Sequence, residues 1–550
     1  MPSTPLPPGR LFYGDNLQVM REALKDASVD LIYLDPPFNS KRDYNLLFKT
    51  PKGHKSDAQI TAFYDSWHWG EQAEREFDEL LHQPNTDVAQ IMRALRGFLG
   101  ENDMMAYLTM MANRLLELYR VLKTTGSLYL HCDPTASHYL KIVLDGVFGK
   151  QGFENEIIWK RTTTHSDSKT WSRVADTIFF YTKSDVFTWN TPREEHSEDY
   201  LASKYRHDDN DGRGVYRLDN MTSPNPRPNM MYVWKGFPFP EKGWRYEPET
   251  MAKLDEEGRI WYPRIDTGDL DITKRPQLKR YLNEGEGGGV MGTVWTDISP
   301  INSQAQERLG YPTQKPLALL ERIIAAGSKE DDVVLDPFCG CGTAVHAAQK
   351  LNRQWVGIDI THLAISLIEK RLKTAFGTHC KFDVLGTPQD LEAARDLAER
   401  NKYQYQWWAV SLVDAQPYQG RKKGPDGGVD GIKFFRDLDR KEVRKIVVSV
   451  KGSGLKADDV RALNHVRERE GAEIALFISL EKPTAGMLRD AAAAGLYTSY
   501  NDQKFPRVQL LTIENLLAKA QRAEHPDYEP DINFKRAASE PAGKQGNLDL

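Results

Sequence analysis

The chain has 550 residues, a net charge of −5, 40% hydrophobic residues and 27% charged ones. That length exceeds a single core and implies two to four domains of ordinary globular composition, neither fibrous nor low-complexity. No apolar run approaches the roughly 18 residues of a membrane span, and the Pro-rich start lacks a signal-peptide stretch, so a cytoplasmic protein with no membrane partner is expected. Near-balanced charge leaves nucleic acid open as a partner, because phosphates respond to local patches and not to totals. The four cysteines are too scattered for a disulfide framework, and the lone Cys339-x-Cys341 pair lacks a second ligand pair at zinc spacing.

In chain order, a strand-like Leu11-Phe12-Tyr13 leads into Gly14-Asp15 and a helical stretch over 16–25. Residues 29–34 form a short apolar run rich in strand formers that ends at Asp35-Pro36-Pro37-Phe38. Helical spacing returns over 103–122, and 127–131, 157–161 and 177–182 read as strands. From 191 to 289 the composition turns to Gly, Pro, Arg, Trp and Tyr with weak periodicity, which marks an inserted, loop-rich module. Its interleaved Arg213, Tyr216, Arg217, Tyr232, Trp234, Lys235, Trp244 and Arg245 suit phosphates and bases, or else the small core of the insert. The α/β pattern resumes with a helix at 316–327, a strand at 332–335, a helix at 344–350 and a strand at 354–358. Alternating strands and helices imply a mostly parallel sheet covered on both faces. A further unit spans 386–522, and 523–550 reads as a disordered tail.

The turn Asp336-Pro337-Phe338-Cys339-Gly340-Cys341-Gly342-Thr343 joins a buried strand to a helix. Its glycines allow a tight bend and close backbone approach to a ligand, and the next strand ends in Asp359, placed to accept from ribose hydroxyls. The turn lacks both the three-glycine dinucleotide fingerprint and a phosphate-loop Lys-Ser/Thr, so it signals an adenosine ligand without a pyrophosphate. This turn resembles the DPFxGxGT cofactor motif of amino-methyltransferases acting on DNA, in which the loop wraps S-adenosylmethionine and the following acid holds the ribose. Thr313-Gln314-Lys315-Pro316 resembles the TQKP element that opens a helix beside the cofactor. Gly14-Asp15 is similar to a short GD element near the adenine ring, with an ordinary helix cap as the alternative for Asp15. The resemblance thus implies S-adenosylmethionine as cofactor, with Asp15, Thr313, Lys315, Asp336, Phe338, Gly340, Gly342, Thr343 and Asp359 around it.

Asp35-Pro36-Pro37-Phe38 follows a buried strand and so belongs at a carboxyl edge, where open α/β sheets bind ligands. An exocyclic amino nitrogen is a poor nucleophile because its lone pair is delocalised into the ring. Two acceptors on its N–H groups can turn that pair towards an electrophilic methyl: the Asp35 carboxylate, and the Pro36 carbonyl held by adjacent Pro37. Phe38 is placed to stack on a base extruded from the duplex. Together the motifs resemble the β group of DNA N6-adenine/N4-cytosine methyltransferases, in which the catalytic motif precedes the cofactor motif. That implies a Rossmann-like, circularly permuted sheet: a catalytic part at 1–190, a target-recognition insert at 191–289 and a cofactor-binding part at 290–385. Cytosine-N4 enzymes of the group usually carry Ser where Asp35 stands, so adenine N6 in double-stranded DNA is expected. Cytosine C5 chemistry needs a Pro-Cys nucleophile, and no Pro-Cys dipeptide occurs.

In the last unit, Gly424-Pro425-Asp426-Gly427-Gly428-Val429-Asp430 precedes a strand at 432–435, and a second strand at 445–450 ends in Lys451. This resembles the PD-(D/E)xK core of Mrr-like restriction endonucleases, in which paired carboxylates hold Mg²⁺ and the lysine assists water. Asp430 and Lys451 match that core, but Ser449 stands in place of the second acid, so a fold retained without cleavage is expected over a working nuclease. An acid on the preceding helix, Glu392 or Glu399, is the candidate to compensate. A restriction subunit or a second copy of the chain is the expected protein partner.

Overall fold

A computed structural model describes residues 9–37, 42–49, 55–65, 68–164, 169–194, 198–284, 288–302, 305, 307–309, 311, 313–377, 380–418, 428–437 and 443–526. In chain order the first sheet region contains β1 (Gly9–Tyr13), α1 (Asn16–Ala23), β2 (Val29–Leu34), α2 (Glu71–Leu81), α3 (Thr86–Leu99), α4 (Asp103–Val121), β3 (Leu122–Cys132), α5 (Ser137–Phe148), β4 (Phe153–Lys160) and β5 (Ala175–Thr182). It resumes with β6 (Val294–Trp295), α6 (Leu317–Gly327), β7 (Val333–Asp336), α7 (Thr343–Lys350), β8 (Gln354–Asp359), α8 (His362–Phe376) and β9 (Asp383–Leu385). An antiparallel hairpin of Arg42–Lys49 with Lys55–Asp65 follows the Asp-Pro-Pro turn. The hairpin adds to the elements expected above, as do α2 and α3, which bury Ala73, Phe77 and Leu80 and Val88, Met92 and Leu95 at helical spacing.

These strands form one nine-stranded sheet in the order β6-β4-β5-β3-β2-β7-β8-β1-β9. All neighbours are parallel except at β5, which runs against β3 and β4. The decisive pairing is β2 with β7, Val334 opposite Leu31 and Leu335 opposite Ile32, which joins two distant segments of the chain at the centre of the sheet. Leu31, Ile32, Leu34, Leu128, Leu130, Leu335 and Ile358 are fully buried, as strands covered by helices on both faces require. The expected mostly parallel α/β architecture is the observed one.

Residues Thr191–Gly292 form a separate compact unit. Ile260–Trp261, Gln277–Tyr281 and Tyr216–Asn220 make a three-stranded antiparallel sheet, and Met221, Phe237, Trp244, Met251, Ile260 and Leu278 fill its core.

The last part contains α9 (Leu391–Arg400), α10 (Lys402–Ser411), β10 (Gln416–Pro417), β11 (Gly431–Arg436), β12 (Val443–Lys451), α11 (Ala457–Arg469), β13 (Ile474–Ser479), α12 (Ala485–Ala493), β14 (Val508–Thr512) and α13 (Ile513–Leu517). Its five strands lie in the order β10-β11-β12-β13-β14, antiparallel up to β12 and parallel beyond. Ile446, Val448 and Val450 of β12 pack into one apolar layer and Val447 into the other, the two-residue alternation of a strand covered on both faces. The tail expected to be disordered lies largely outside the described residues, from 527 onward. Among the described residues no helix is long and apolar enough to cross a membrane.

Candidate active site

The order β2-β7-β8-β1 sets four carboxyl strand ends side by side, each about 4.8 Å from the next. They carry Asp35, the Asp336–Thr343 turn, Asp359 and Gly14-Asp15. All of these except Gly342, which packs towards Ile368, line one cavity of about 550 Å³, together with Tyr13, Tyr33, Tyr311, Thr313 and Lys315. Parallel pairing makes this convergence automatic, because it brings every carboxyl end to the same edge. Pro36 and Pro37 line the cavity as well, whereas Phe38 lies outside the described residues.

Lys315 Nζ donates to Oδ2 of Asp35, across 280 positions of sequence. Oδ1 of Asp35 is buried and has no hydrogen-bond partner among the described residues. Buried carboxylate oxygens are ordinarily satisfied, so this is a position that a donor from a ligand can fill. Thr313, in the same segment as Lys315, has φ of +63°, a left-handed conformation that a β-branched residue rarely takes. Gln314 pins the preceding loop, donating to the Glu307 carbonyl at 2.7 Å and accepting from Leu309 N at 2.8 Å. The TQKP segment therefore reaches the Asp-Pro-Pro turn itself, a contact that cofactor binding alone did not anticipate.

Beneath Asp35 runs a buried polar chain that sequence reasoning missed. Tyr33 Oη lies 3.0 Å from His131 Nδ1, His131 Nε2 lies 3.1 Å from Asp176 Oδ2, and Arg161 Nε lies 2.8 Å from Asp176 Oδ1. Burial and the Lys315 charge hold the His131 pKa below its ordinary value. Burial opposes ionisation of Asp176, but the His131 hydrogen bond and the charges of Lys315 and Arg161 prevail and hold its pKa low. We assign a neutral imidazole donating Nε2–H to an anionic Asp176, which leaves Nδ1 to accept from the Tyr33 hydroxyl. The only sequence signal was a histidine ending a buried strand next to β2 in the sheet.

Asp15 is the N-cap of α1, accepting from Leu17 N at 3.0 Å and Gln18 N at 3.2 Å, while its other oxygen accepts from Arg114 at 2.7 Å. Both readings of this residue meet: it caps the helix and lines the cavity. Asn16 donates to the Pro337 carbonyl at 2.8 Å and accepts from Arg114 at 2.6 Å, tying α1 and α4 to the glycine turn.

Within that turn Gly340 and Gly342 have φ of +50° and +73°. A Cβ on Gly342 would sit 2.7 Å from Ile368 Cγ1, and one on Gly340 would sit 3.1 Å from the Tyr311 ring. Fully buried Arg371 on α8 holds the turn from behind, donating to the Cys341 carbonyl, Thr343 Oγ1 and His346 Nδ1, each at 3.1 Å. Arginine on an amphipathic helix carries no signal of such a role in sequence. Cys339 and Cys341 are buried free thiols, and the latter contributes its carbonyl to this packing. Gly342→Ala should therefore lower stability by about 2 kcal/mol, adding left-handed backbone strain to the Ile368 clash. Thermal unfolding beside a cofactor titration checks this, and an unchanged Tm would show that the turn relaxes freely.

Asp359 accepts through Oδ2 from Gly340 N at 2.9 Å and through Oδ1 from Thr361 N at 2.9 Å and Thr361 Oγ1 at 2.8 Å. Burial outweighs these bonds and lifts its pKa from 3.8 to about 6. Burial, with the Asp35 and Asp359 charges nearby, pushes Asp336 well above the usual carboxylate range. Three carboxyl groups sharing a low-dielectric cavity favour a cationic ligand. Such a cavity, with a glycine turn and a strand-end acid, fits S-adenosylmethionine, which carries sulfonium and ammonium charges on an adenosine.

The model of the DNA methylase family matches residues 29–370, more than half of the chain. The chain belongs to this family. A restriction endonuclease family model matches residues 393–518. The methylase is 30% identical over 305 residues to the Type II methyltransferase M.EcaI of Enterobacter cloacae, covering 54% of this chain and 65% of that one. It is 26% identical over 355 residues to the StyLTI Mod subunit, of a Type III restriction-modification enzyme from Salmonella typhimurium, covering 62% and 50%. The matches thus span between half and two thirds of these relatives. Among solved structures, a DNA modification methylase of Thermus thermophilus, complexed with S-adenosyl-L-methionine, aligns at 16% identity and a TM-score of 0.32, covering 68% and 98%. The family match over 29–370 and the endonuclease match over 393–518 divide the chain into a methylase part and an endonuclease-like domain.

In the inserted unit of the methylase, Trp244 and Tyr216 are 0% and 2% exposed, so they build its core and do not present a base-stacking surface. Arg213 pairs with Asp211 at 2.6 Å, Lys235 with Asp255, and Arg245 with Asp219 at 3.6 Å. Composition could not separate these partners from phosphate ligands, because an acid that neutralises a base can lie anywhere in sequence.

In the endonuclease-like domain, Asp430 accepts from Gln406 Nε2 at 2.9 Å, Val450 N at 2.7 Å and Ser449 Oγ at 3.4 Å. The side chain that α10 brings to Asp430 is this amide of Gln406, whereas Glu392 and Glu399 lie on α9. Lys451 pairs with Asp459 at 3.4 Å. Among the described residues no group of three acids, histidines or cysteines could hold a metal, and Gly424 to Gly427, with Asp426, lie outside them.

Proposed function

We propose that this chain methylates N6 of adenine in double-stranded DNA, at a specific sequence, within a restriction-modification system or a related defence or epigenetic one. The observation that carries the reading is the Asp35 carboxylate, one oxygen held by Lys315 and the other without a partner among the described residues, at the edge of the cofactor cavity. S-adenosylmethionine, when bound, supplies an electrophilic methyl on a sulfonium. Gly340 lines the cavity beside the cofactor, and Asp359 accepts from its ribose hydroxyls. Asp35 Oδ1 accepts from the amino group of the extruded base, and the Pro36 carbonyl accepts its second N–H, so the nitrogen lone pair leaves conjugation and faces the methyl. The bound cofactor would supply the methyl and keep the C–S electron pair on its sulfur, and the proton shed by the alkylated nitrogen would pass to solvent. Most of the rate comes from this fixed polar geometry. Adenine is favoured because Asp stands where cytosine-N4 enzymes of the group usually carry Ser.

Sequencing that reports modified bases, on DNA from cells expressing the protein, should find N6-methyladenine at one recurring motif. N4-methylcytosine there would overturn the base assignment. Absence of any modification, with no transfer of labelled methyl in vitro, would sink the enzymatic reading.

We read the endonuclease-like domain as a retained fold without metal-dependent cleavage, because Gln406, Ser449 and Val450 occupy the Asp430 oxygens. The full chain with Mg²⁺ and unmodified plasmid should leave the DNA intact. Cleavage that disappears in Lys451→Ala would establish the opposite.

A further inference from the structure

The cofactor cavity has a wall that the methylase segment does not provide. Asn401, Gln404 and Trp407 line it together with Asp359, Ile360 and Thr361, yet they belong to the segment matched by the endonuclease family, 393–518. Their spacing of three puts them on one face of α10, with Asn401 as the N-cap accepting from Gln404 N at 3.1 Å. Gln404 Oε1 accepts from His362 N at 3.4 Å, at the start of α8 just beyond the ribose acid. Trp407 packs against the small cluster of Tyr311, Cys341, Leu363 and Leu367, directly behind the glycine turn. The opposite face of α10 is anchored elsewhere: Tyr405, Trp408, Ala409 and Val410 are buried in the core of the endonuclease-like domain. One short helix therefore belongs to one domain by packing and to the other domain's cavity by its exposed face.

We propose that the endonuclease-like domain completes the S-adenosylmethionine site, with Trp407 covering the adenosyl end and Gln404 and Asn401 offering amide groups to its polar edge. This rests on the methyltransferase reading and deepens it. An indole supplies a broad apolar face of the kind that purines stack on, and amides supply both donors and acceptors. The next residue to Trp407 on α10, Gln406, holds Asp430 at 2.9 Å, so the helix that covers the cofactor also positions the remnant of the nuclease centre.

The test uses the full chain and S-adenosylmethionine alone. By calorimetry, Trp407→Ala should weaken binding at least tenfold and Gln404→Ala severalfold, whereas Tyr403→Ala, on the same helix but exposed and away from the cavity, should leave it unchanged. Amide hydrogen exchange of the unmodified protein should slow across 402–411 when the cofactor is added. If the unmodified protein binds and protects 336–343 and 359–361, but 402–411 exchange is unaffected, the proposal fails while the methyltransferase reading stands. That holds even if Trp407→Ala binds weakly, since the loss would then reflect folding. If the unmodified protein does not bind the cofactor at all, both readings fall together.

Discussion

Asp35→Ala should cut methyl transfer about 10³-fold, the scale on which removing one preorganised polar group from an active site acts, while S-adenosylmethionine affinity changes little. The asymmetry follows from the geometry. The glycine turn and Asp359 are held by Asn16, Arg371 and Thr361, none of which depends on Asp35. The substitution has a second consequence, because Lys315 is buried against Asp35, with 9% and 16% of the two side chains exposed. Removing one partner of a buried pair costs about 3–5 kcal/mol, so stability falls as well. Asp35→Asn separates the effects: it preserves shape at the turn but can present N–H where an acceptor is needed. It should be as inactive as the alanine variant and clearly more stable. Single-turnover transfer, cofactor titration and thermal unfolding on both variants check this, and parallel loss of affinity and transfer would make Asp35 a cofactor ligand instead.

The second large effect is a pH dependence with two opposite signs from one group. In the free protein Asp359 titrates at about 6, above its ordinary 3.8, because burial outweighs the bonds from Thr361 and Gly340. The folded state thus binds the proton more tightly than the unfolded chain. The stabilisation is fully present below the unfolded value and is lost as pH rises through about 6. Cofactor affinity runs the other way, since the ribose hydroxyls and the cationic sulfonium both favour the carboxylate. Affinity should be level above pH 7 and fall towards tenfold per unit below about 6. Asp359→Asn should bind at least tenfold more weakly at pH 8 and lose this inflection. Calorimetry between pH 5 and 8 on both proteins decides it, and a persistent inflection in the variant would assign it to another group, with Asp336 the first to examine.

Much of the methyltransferase core was legible because its strands are short apolar runs ending in chemically marked turns. Residues 29–34 and 332–335 needed no partner to be read as buried strands, and the residues that follow them are constrained locally: proline fixes φ, and glycine at φ of +50° and +73° makes the bend. The insert was harder, because a tryptophan that fills a small core and one that stacks on a base have the same neighbours in sequence. Trp244 proved to be the former.

By itself, then, the sequence determined the existence of the strands, the glycine turn, the Asp-Pro-Pro turn at a strand end and the two family resemblances, all of which depend on contiguous residues and short-range sterics. Tertiary structure alone decided the pairing of β2 with β7, the grip of Lys315 on Asp35, the support of the turn by Arg371 and the arrival of Trp407 at the cofactor cavity. Each of these joins segments that no periodicity relates. Burial in a shared low-dielectric interior selects the charge that answers a charge and the face that covers a cavity, and that selection operates on distance in space.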